Sequence, residues 1–163
     1  CSTAPARPHG RPVTEIQMAD LLREVRRRFD FCLLDAPAGL GRGFQLATCA
    51  ADRCVVVTTA DASSLRDAQH TVMELDRFPS GALHLVVNRV RKKLLRQLHA
   101  TIDDAIDKAG LPLLGVVPED DALPLCMNRG VPILLADGQS AATAYRNIAK
   151  RLQGERVPLL RIR

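Results

Sequence analysis

The sequence predicts a doubly wound α/β fold, a mostly parallel sheet flanked by helices, and three observations predict it. Four apolar runs have strand length and no polar alternation: Phe31–Asp35, Cys54–Thr59, Leu83–Asn88 and Leu113–Val117. Strands of that kind are covered on both faces. Each run is separated from the next by a segment of helical periodicity, which implies right-handed crossovers and parallel pairing. Each also stops at a polar or proline-containing loop, the place where open parallel sheets bind ligands. A chain of 163 residues, 47% apolar and 25% charged, suffices for one core, so one compact domain or a large piece of one is expected.

The elements follow in order. Residues 1–13 hold Pro5, Pro8, Gly10 and Pro12 and read as a loop or a severed connection. Thr14 with Gln17 forms a capping-box signature, and Ile16, Leu21, Leu22 and Val25 give an apolar stripe on a helix running to about Arg28. After the strand at Phe31–Asp35 and the valine strand from Cys54, Ser64 with Asp67 predicts the start of a helix carrying Leu65, Val72, Met73 and Leu75 and ending near Phe78-Pro79. Leu95, Leu98, Ile102, Ile106 and Ala109 mark another, stopped by Gly110 and Pro112. A last helix is expected over Ala141 to Gln153, closed by Gly154. Residues 14–154 thus form the folded body, and 155–163 a basic and apolar tail.

The formal charge of +5 and pI near 9.3 suit an acidic partner and equally an ordinary cytosolic protein. The basic cluster Arg23, Arg26, Arg27 and Arg28, with Arg91, Lys92, Lys93 and Arg96, is read as solvated helix faces, which makes DNA an unlikely partner. Cys1, Cys32, Cys49, Cys54 and Cys126 show no C-x-x-C pairing, so reduced, buried thiols are expected. No apolar run reaches the roughly 18 residues of a membrane span, and a cytoplasmic location is the expectation. The chain opens at Cys1 and not at methionine, which suggests that it is cut from something longer.

The residues after each strand are the candidates for chemistry. Asp35 stands where nucleotide enzymes hold Mg²⁺, usually through its water shell; the other reading is a turn aspartate ahead of Pro37. Gly39, Gly41 and Gly43 bring backbone N–H groups toward an anion or simply make the loop flexible. Asn88 offers the paired donor and acceptor that match the edge of adenine, or it caps a strand end.

In combination these segments resemble the MinD/ParA family of P-loop ATPases. Phe29-Asp-Phe-Cys-Leu-Leu-Asp-Ala-Pro-Ala-Gly39 resembles its Walker-B and switch II segment. Asp61-Ala-Ser-Ser-Leu-Arg-Asp67 is similar to a segment on its partner and dimer surface. Val86-Val-Asn-Arg89 resembles its adenine-contacting strand end, and Gly115-Val-Val-Pro-Glu-Asp120 with Asn128-Arg-Gly130 and Pro132 its second base-binding loop and the following helix. The matches keep one order from about Thr14 to Gly154.

The resemblance implies an ATP-dependent homodimer that cycles on the inner face of the cell membrane, positions the division septum, and works with septum-inhibitor and ATPase-activating partner proteins. It implies ATP and Mg²⁺ as cofactors. Asp35 would organise Mg²⁺ and Gly39 would lie near the γ-phosphate. Asn88, Pro118 and Asp120 would frame the adenine, and Asp61, Ser63, Ser64, Arg66 and Asp67 would form the partner and dimer surface.

No G-x-x-x-x-G-K-[ST] phosphate loop or variant of it occurs in the sequence, so the P-loop-like fold is expected to lack its N-terminal phosphate-loop unit. The chain alone is then expected neither to bind ATP tightly nor to hydrolyse it. The tail's Val157, Leu159, Leu160 and Ile162 beside Arg161 and Arg163 suit anionic lipid, but the segment is short and Pro158 opposes a helix. Other readings are a ParA-like partitioning ATPase, a flagellar-number regulator, and a non-catalytic interaction module on the same fold. An iron-sulfur relative would need a cluster-binding cysteine loop that the sequence does not display.

Overall fold

A computed structural model describes residues 12–79, 81–91, 93, 102–135 and 140–160. The segment up to Arg11, the stretch with Leu95 and Leu98, and Arg161 to Arg163 lie outside the described residues. The chain divides into two compact units, Cys1–Asp52 and Arg53–Arg163.

In the first unit, α1 (Glu15–Arg28) starts at the expected capping box: Thr14 Oγ1 accepts from Gln17 N–H, and Gln17 Oε1 accepts from Thr14 N–H. Three arginines close it, favourably placed at the negative end of the helix dipole. A short helix not foreseen in the sequence, α2 (Arg42–Thr48), packs on it. Arg26 joins the two by donating to Ala50 O and pairing with Asp52, each at 2.7 Å. The apolar stripe of α1 is covered less than its pattern suggests, with Leu22 buried while Ile16 and Leu21 stay exposed.

The buried strand expected at Phe31–Asp35 is not formed. The segment belongs to no β-ladder among the described residues, and Phe31 is 68% and Leu33 90% exposed. An apolar run becomes a buried strand only where neighbours pair its backbone and cover its faces, and here neither condition is met.

The second unit holds the sheet. Strands β1 (Cys54–Thr58), β2 (Leu83–Val90) and β3 (Leu113–Pro118) pair in parallel in the order β1-β2-β3. The side-chain period of two sorts β2 between faces. Leu85 and Val87 are wholly buried, while Val86 turns the other way into a cluster with Leu114, Ala141, Ala142 and Ala144. Two crossover helices, α3 (Ala62–Met73) and α4 (Ile102–Ala109), touch each other and pack on β1 and β2 respectively. After β3 come α5 (Ala122–Asn128), a 3₁₀ turn at Ile133–Leu135 and α6 (Ser140–Leu152), which covers β3. The last helix thus begins and ends one residue earlier than its periodicity predicts, and Gly154 closes it at φ 88°.

The start of α3 differs from expectation. Its N-cap is Asp61, whose side chain accepts from Ser64 N–H, so Ser64 and Asp67 lie inside the helix. Strand β1 is also not covered on both faces, since Val56 and Thr58 are buried while Val55 and Val57 are exposed. The thiols of Cys32, Cys49, Cys54 and Cys126 are free, but Cys32 is exposed and the others are half-buried, so the expectation of buried thiols fails at Cys32. Burial raises the Cys54 thiol above its ordinary value, against an opposing pull from the Arg77 charge. The tail is strapped down: the Arg151 guanidinium donates to Val157 O and Leu114 O, and Leu160 packs against the cluster under α6. Burial lowers the Arg151 pKa from its ordinary value. No helix of the described residues is long and apolar enough to cross a membrane.

Candidate functional site

In the first unit, Asp35 lies at the end of the Phe31–Asp35 run, exposed, with no hydrogen bond or ion pair to another described residue. Gly39 follows at φ 85°, a left-handed conformation that suits glycine, with open space where a Cβ would stand. Gly43 needs its missing side chain for a different reason, because a Cβ there would collide with the Pro37 ring. One unpaired carboxylate and an open glycine backbone fit Mg²⁺ held through water beside a phosphate, a cation that commonly takes only one or two protein carboxylates. Among the described residues no cluster of three or more metal-ligating side chains occurs.

In the second unit, parallel pairing places the ends of β2 and β3 side by side. The strand expected to stop at Asn88 runs on to Val90, so Asn88, half-buried, lies two residues inside the end of β2, while Pro118, buried, ends β3. Asn88 Oδ1 accepts from Arg89 N–H at 2.9 Å, which leaves the amide's two N–H donors unused by that bond. Arg89 lies at φ 53°, and the register between the strands is irregular at this point. Arg89 donates to Glu119 Oε1 at 3.2 Å, Arg91 pairs with Glu119 Oε2, and Glu119 N–H donates to Val90 O.

Asp120 is engaged on both oxygens. Oδ1 accepts from Ala122 N–H at 3.1 Å, while Oδ2 accepts from Ser140 Oγ at 3.3 Å and Ala141 N–H at 3.2 Å. Burial pushes this carboxyl up, but the bonds from Ala141, Ala122 and Ser140 outweigh it and hold the pKa below the ordinary value. Asp120 therefore ties the turn after β3 to the start of α6.

The segment Asp61 to Asp67 opens α3. Ser63 Oγ donates to Asp61 Oδ1 at 2.6 Å, Thr59 Oγ1 donates to Oδ2, and Ser64 N–H donates to Oδ1 at 3.0 Å. These bonds, Ser63 first, hold the Asp61 carboxyl well below the usual carboxylate range. Ser63, Arg66 and Asp67 are exposed at helical spacing on one face, and Leu65 and Ala68 turn into the core. Pro118 pairs with Val90, and Asn88 lies in the irregular stretch between the Val87–Val116 and Val90–Pro118 pairs; Asp61 bonds both Ser63 and Ser64. The ion pairs of Arg89 and Arg91 with Glu119 escape sequence reading because charged residues around a strand end look like surface. Only the left-handed backbone at Arg89 exposes the arrangement.

Comparison with known proteins shows the family. The family described as "Cellulose biosynthesis protein BcsQ" matches residues 7–152. The septum site-determining protein MinD of Bacillus subtilis is 37% identical over 145 residues, which is 88% of this chain and 54% of that protein. The MinD cell division protein of Aquifex aeolicus superposes with a TM-score of 0.85 at 30% identity, covering 91% of this chain and 64% of that one. A MinC:MinD complex from A. aeolicus gives 0.84 at 30% identity, with 91% and 63% covered. The chain spans about half the length of the curated relatives it matches. Its parallel sheet, the likeness to MinD structures and a family match over residues 7–152 agree: this chain belongs to the BcsQ-described family within the MinD/ParA group of P-loop ATPases.

Proposed function

We propose that this chain supplies the base-recognising and switch portion of a MinD-type ATPase that takes part in choosing the division-septum site. The observation that carries the reading is that Asn88 lies near the carboxyl end of β2 and Pro118 at that of the neighbouring parallel β3, in a chain similar to MinD at 30% identity. The Asn88 amide orients the adenine edge, buried Pro118 gives the base an apolar wall, and Asp120 fixes the turn that carries it. Separately, Asp35 holds Mg²⁺ through its water shell, and the Gly39 backbone lies near the terminal phosphate. Bound Mg²⁺ supplies neutralisation of phosphate charge.

The exposed face of Ser63, Arg66 and Asp67 is the partner and dimer surface in this reading. The likeness to a MinD found in complex with MinC supports a septum-inhibitor partner. Homodimerisation on ATP, an ATPase-activating partner and a cytoplasmic, membrane-peripheral site of action belong to the same proposal. Hydrolysis is proposed for the intact family member and not for these residues alone.

Calorimetric titration with Mg·ADP tests the base site: Asn88→Ala should weaken binding about ten-fold, the loss of one good bidentate contact. Equal affinity in both forms would remove Asn88 from the site. Binding to a septum inhibitor that is lost in Arg66→Ala/Asp67→Ala would support the partner surface. Nucleotide-independent partner binding would instead favour a non-catalytic interaction module, and DNA affinity falling steeply with salt a ParA-like role.

The family match favours one further reading, an accessory ATPase of cellulose biosynthesis. Capture of a cellulose-synthesis component with no affinity for a septum inhibitor would decide for it.

A further inference from the structure

We infer that a cleft at the amino-terminal end of the sheet, between the starts of β2 and β3 and the tail after α6, binds a small organic carboxylate. It lies away from the candidate base site: Leu113 opens β3 at one end and Pro118 closes it at the other, roughly 16 Å further along the strand.

The open cleft has a volume of about 580 Å³, within the usual range of small-molecule sites. The strand starts contribute His84 and Leu113 to its lining, and the tail contributes Val157 and Pro158. Arg151, Glu155 and Arg156 supply charge. Arg151 also fixes the tail in place, donating from Nε and Nη2 to Val157 O and from Nη1 to Leu114 O. A tail held at these points leaves little to be ordered when a ligand binds.

Arg151 carries the argument. It is half-buried, burial lowers its pKa, and no charged neighbour opposes that effect. Its three hydrogen bonds all go to main-chain carbonyls, and it forms no ion pair with another described residue. The carbonyls hold the group but leave its full charge. A guanidinium has five N–H donors, so two remain here, one on each terminal nitrogen. A sheltered cation without a counter-ion is unfavourable. A carboxylate supplies both the charge and the planar geometry that match such a fork.

The rest of the lining agrees. Arg156 is exposed on the cleft with no hydrogen bond or ion pair to another described residue, so it is a second uncommitted cation. His84 Nδ1 is buried without a hydrogen-bond partner, the only such side-chain atom among the described residues. Buried polar atoms are seldom left so, and a hydrogen-bonding ligand relieves this one when the ring turns toward it. Glu155, exposed and paired with neither arginine, opposes an anion but is outnumbered. Leu113, Val157 and Pro158 suit an aliphatic body, which favours an organic anion over an inorganic one.

The test titrates the ¹⁵N-labelled full chain with hexanoate, hexanamide and inorganic phosphate, following Arg151 Nε–H and the His84 ring by NMR. Hexanoate should shift both signals saturably. Hexanamide, of the same shape without the charge, should bind about ten-fold more weakly, as for loss of a charged hydrogen bond. Phosphate, which has no aliphatic body, should also bind less tightly than hexanoate. Arg156→Ala should weaken hexanoate about three-fold and Glu155→Gln strengthen it about two-fold, the modest effects of exposed charges. Neither side chain is bonded to another described residue, so both variants should keep the fold. Absence of saturation with hexanoate overturns the inference, as do shifts that spare Arg151 and His84. Equal affinity for hexanamide or for phosphate overturns it too, and so does hexanoate affinity unchanged in Arg156→Ala.

Discussion

Gly115 of β3 lies directly against Ile148 of α6: a Cβ built at position 115 would stand 2.8 Å from Ile148 Cδ1 and closer still to Cγ1. The glycine is there because the helix approaches the strand, since its backbone φ is one that other residues can adopt. The same helix carries Ser140 and Ala141, bonded to Asp120, so the closeness of α6 to β3 also positions the turn after the strand.

Gly115→Ala should therefore destabilise the second unit by about 1–3 kcal/mol, the range for overpacking a filled core. Ile148→Ala removes both offending carbons. In a double-mutant cycle followed by urea denaturation, the pair should be less destabilised than the sum of the single changes. Strict additivity would mean that the two side-chain positions do not meet.

Asp61 is the N-cap of α3, and its replacement by Ala should cost about 1 kcal/mol, with Asn costing less because it still accepts from Ser64 N–H. The folded-state pKa of Asp61 is depressed, so the ionised form favours the native state. Its contribution is complete above the unfolded value of about 3.9 and is lost as the pH falls below that toward the folded value. Denaturation at pH 7 and pH 3 should show the gap between the unaltered chain and Asp61→Ala narrowing in acid. A gap that widens would reverse the sign of the linkage.

Asp120→Ala should loosen two helix starts at once, because one carboxylate accepts from Ala122, Ser140 and Ala141. The expected loss is about 2 kcal/mol, as for removal of a charged acceptor that leaves donors unpaired. Hydrogen exchange locates the effect. The amide of Ala141 should lose protection along with Ala122, and unchanged protection at Ala141 would refute the tie between the turn and α6.

The strands β1, β2 and β3 were legible because runs such as Leu83–Asn88 hold unbroken apolar character between clear stops, and α1 and α6 because Thr14/Gln17 and Gly154 are strong local signals. Phe31–Asp35 has the same apolar pattern and joins no ladder among the described residues, because pairing depends on neighbours that composition does not encode. The α3 start was misplaced because Asp61 and Ser64 both suit an N-cap, and only the chain's path decides between them. Asn88 and Pro118 drew notice at the ends of apolar runs, and the structure puts both inside their strands, since β2 runs on to Val90. The bonds of Asp120 to α6 join residues 20 and 21 positions apart and leave no local trace.

Strand β1 presents the last testable feature. It pairs on one side with β2 and with no strand on the other among the described residues, and Val57 on its outer face is 60% exposed. An open edge beside exposed apolar side chains invites pairing with another chain. Val57→Lys places a charge on that face without touching the buried Val56 and Thr58, so it should leave urea stability within about 0.5 kcal/mol, as is usual for surface changes. It should also lower self-association, read by light scattering across a concentration series. If Val57→Lys instead unfolds the chain, Val57 is covered in solution by a packing partner. If scattering is unchanged while the chain stays folded, the edge is not what drives association.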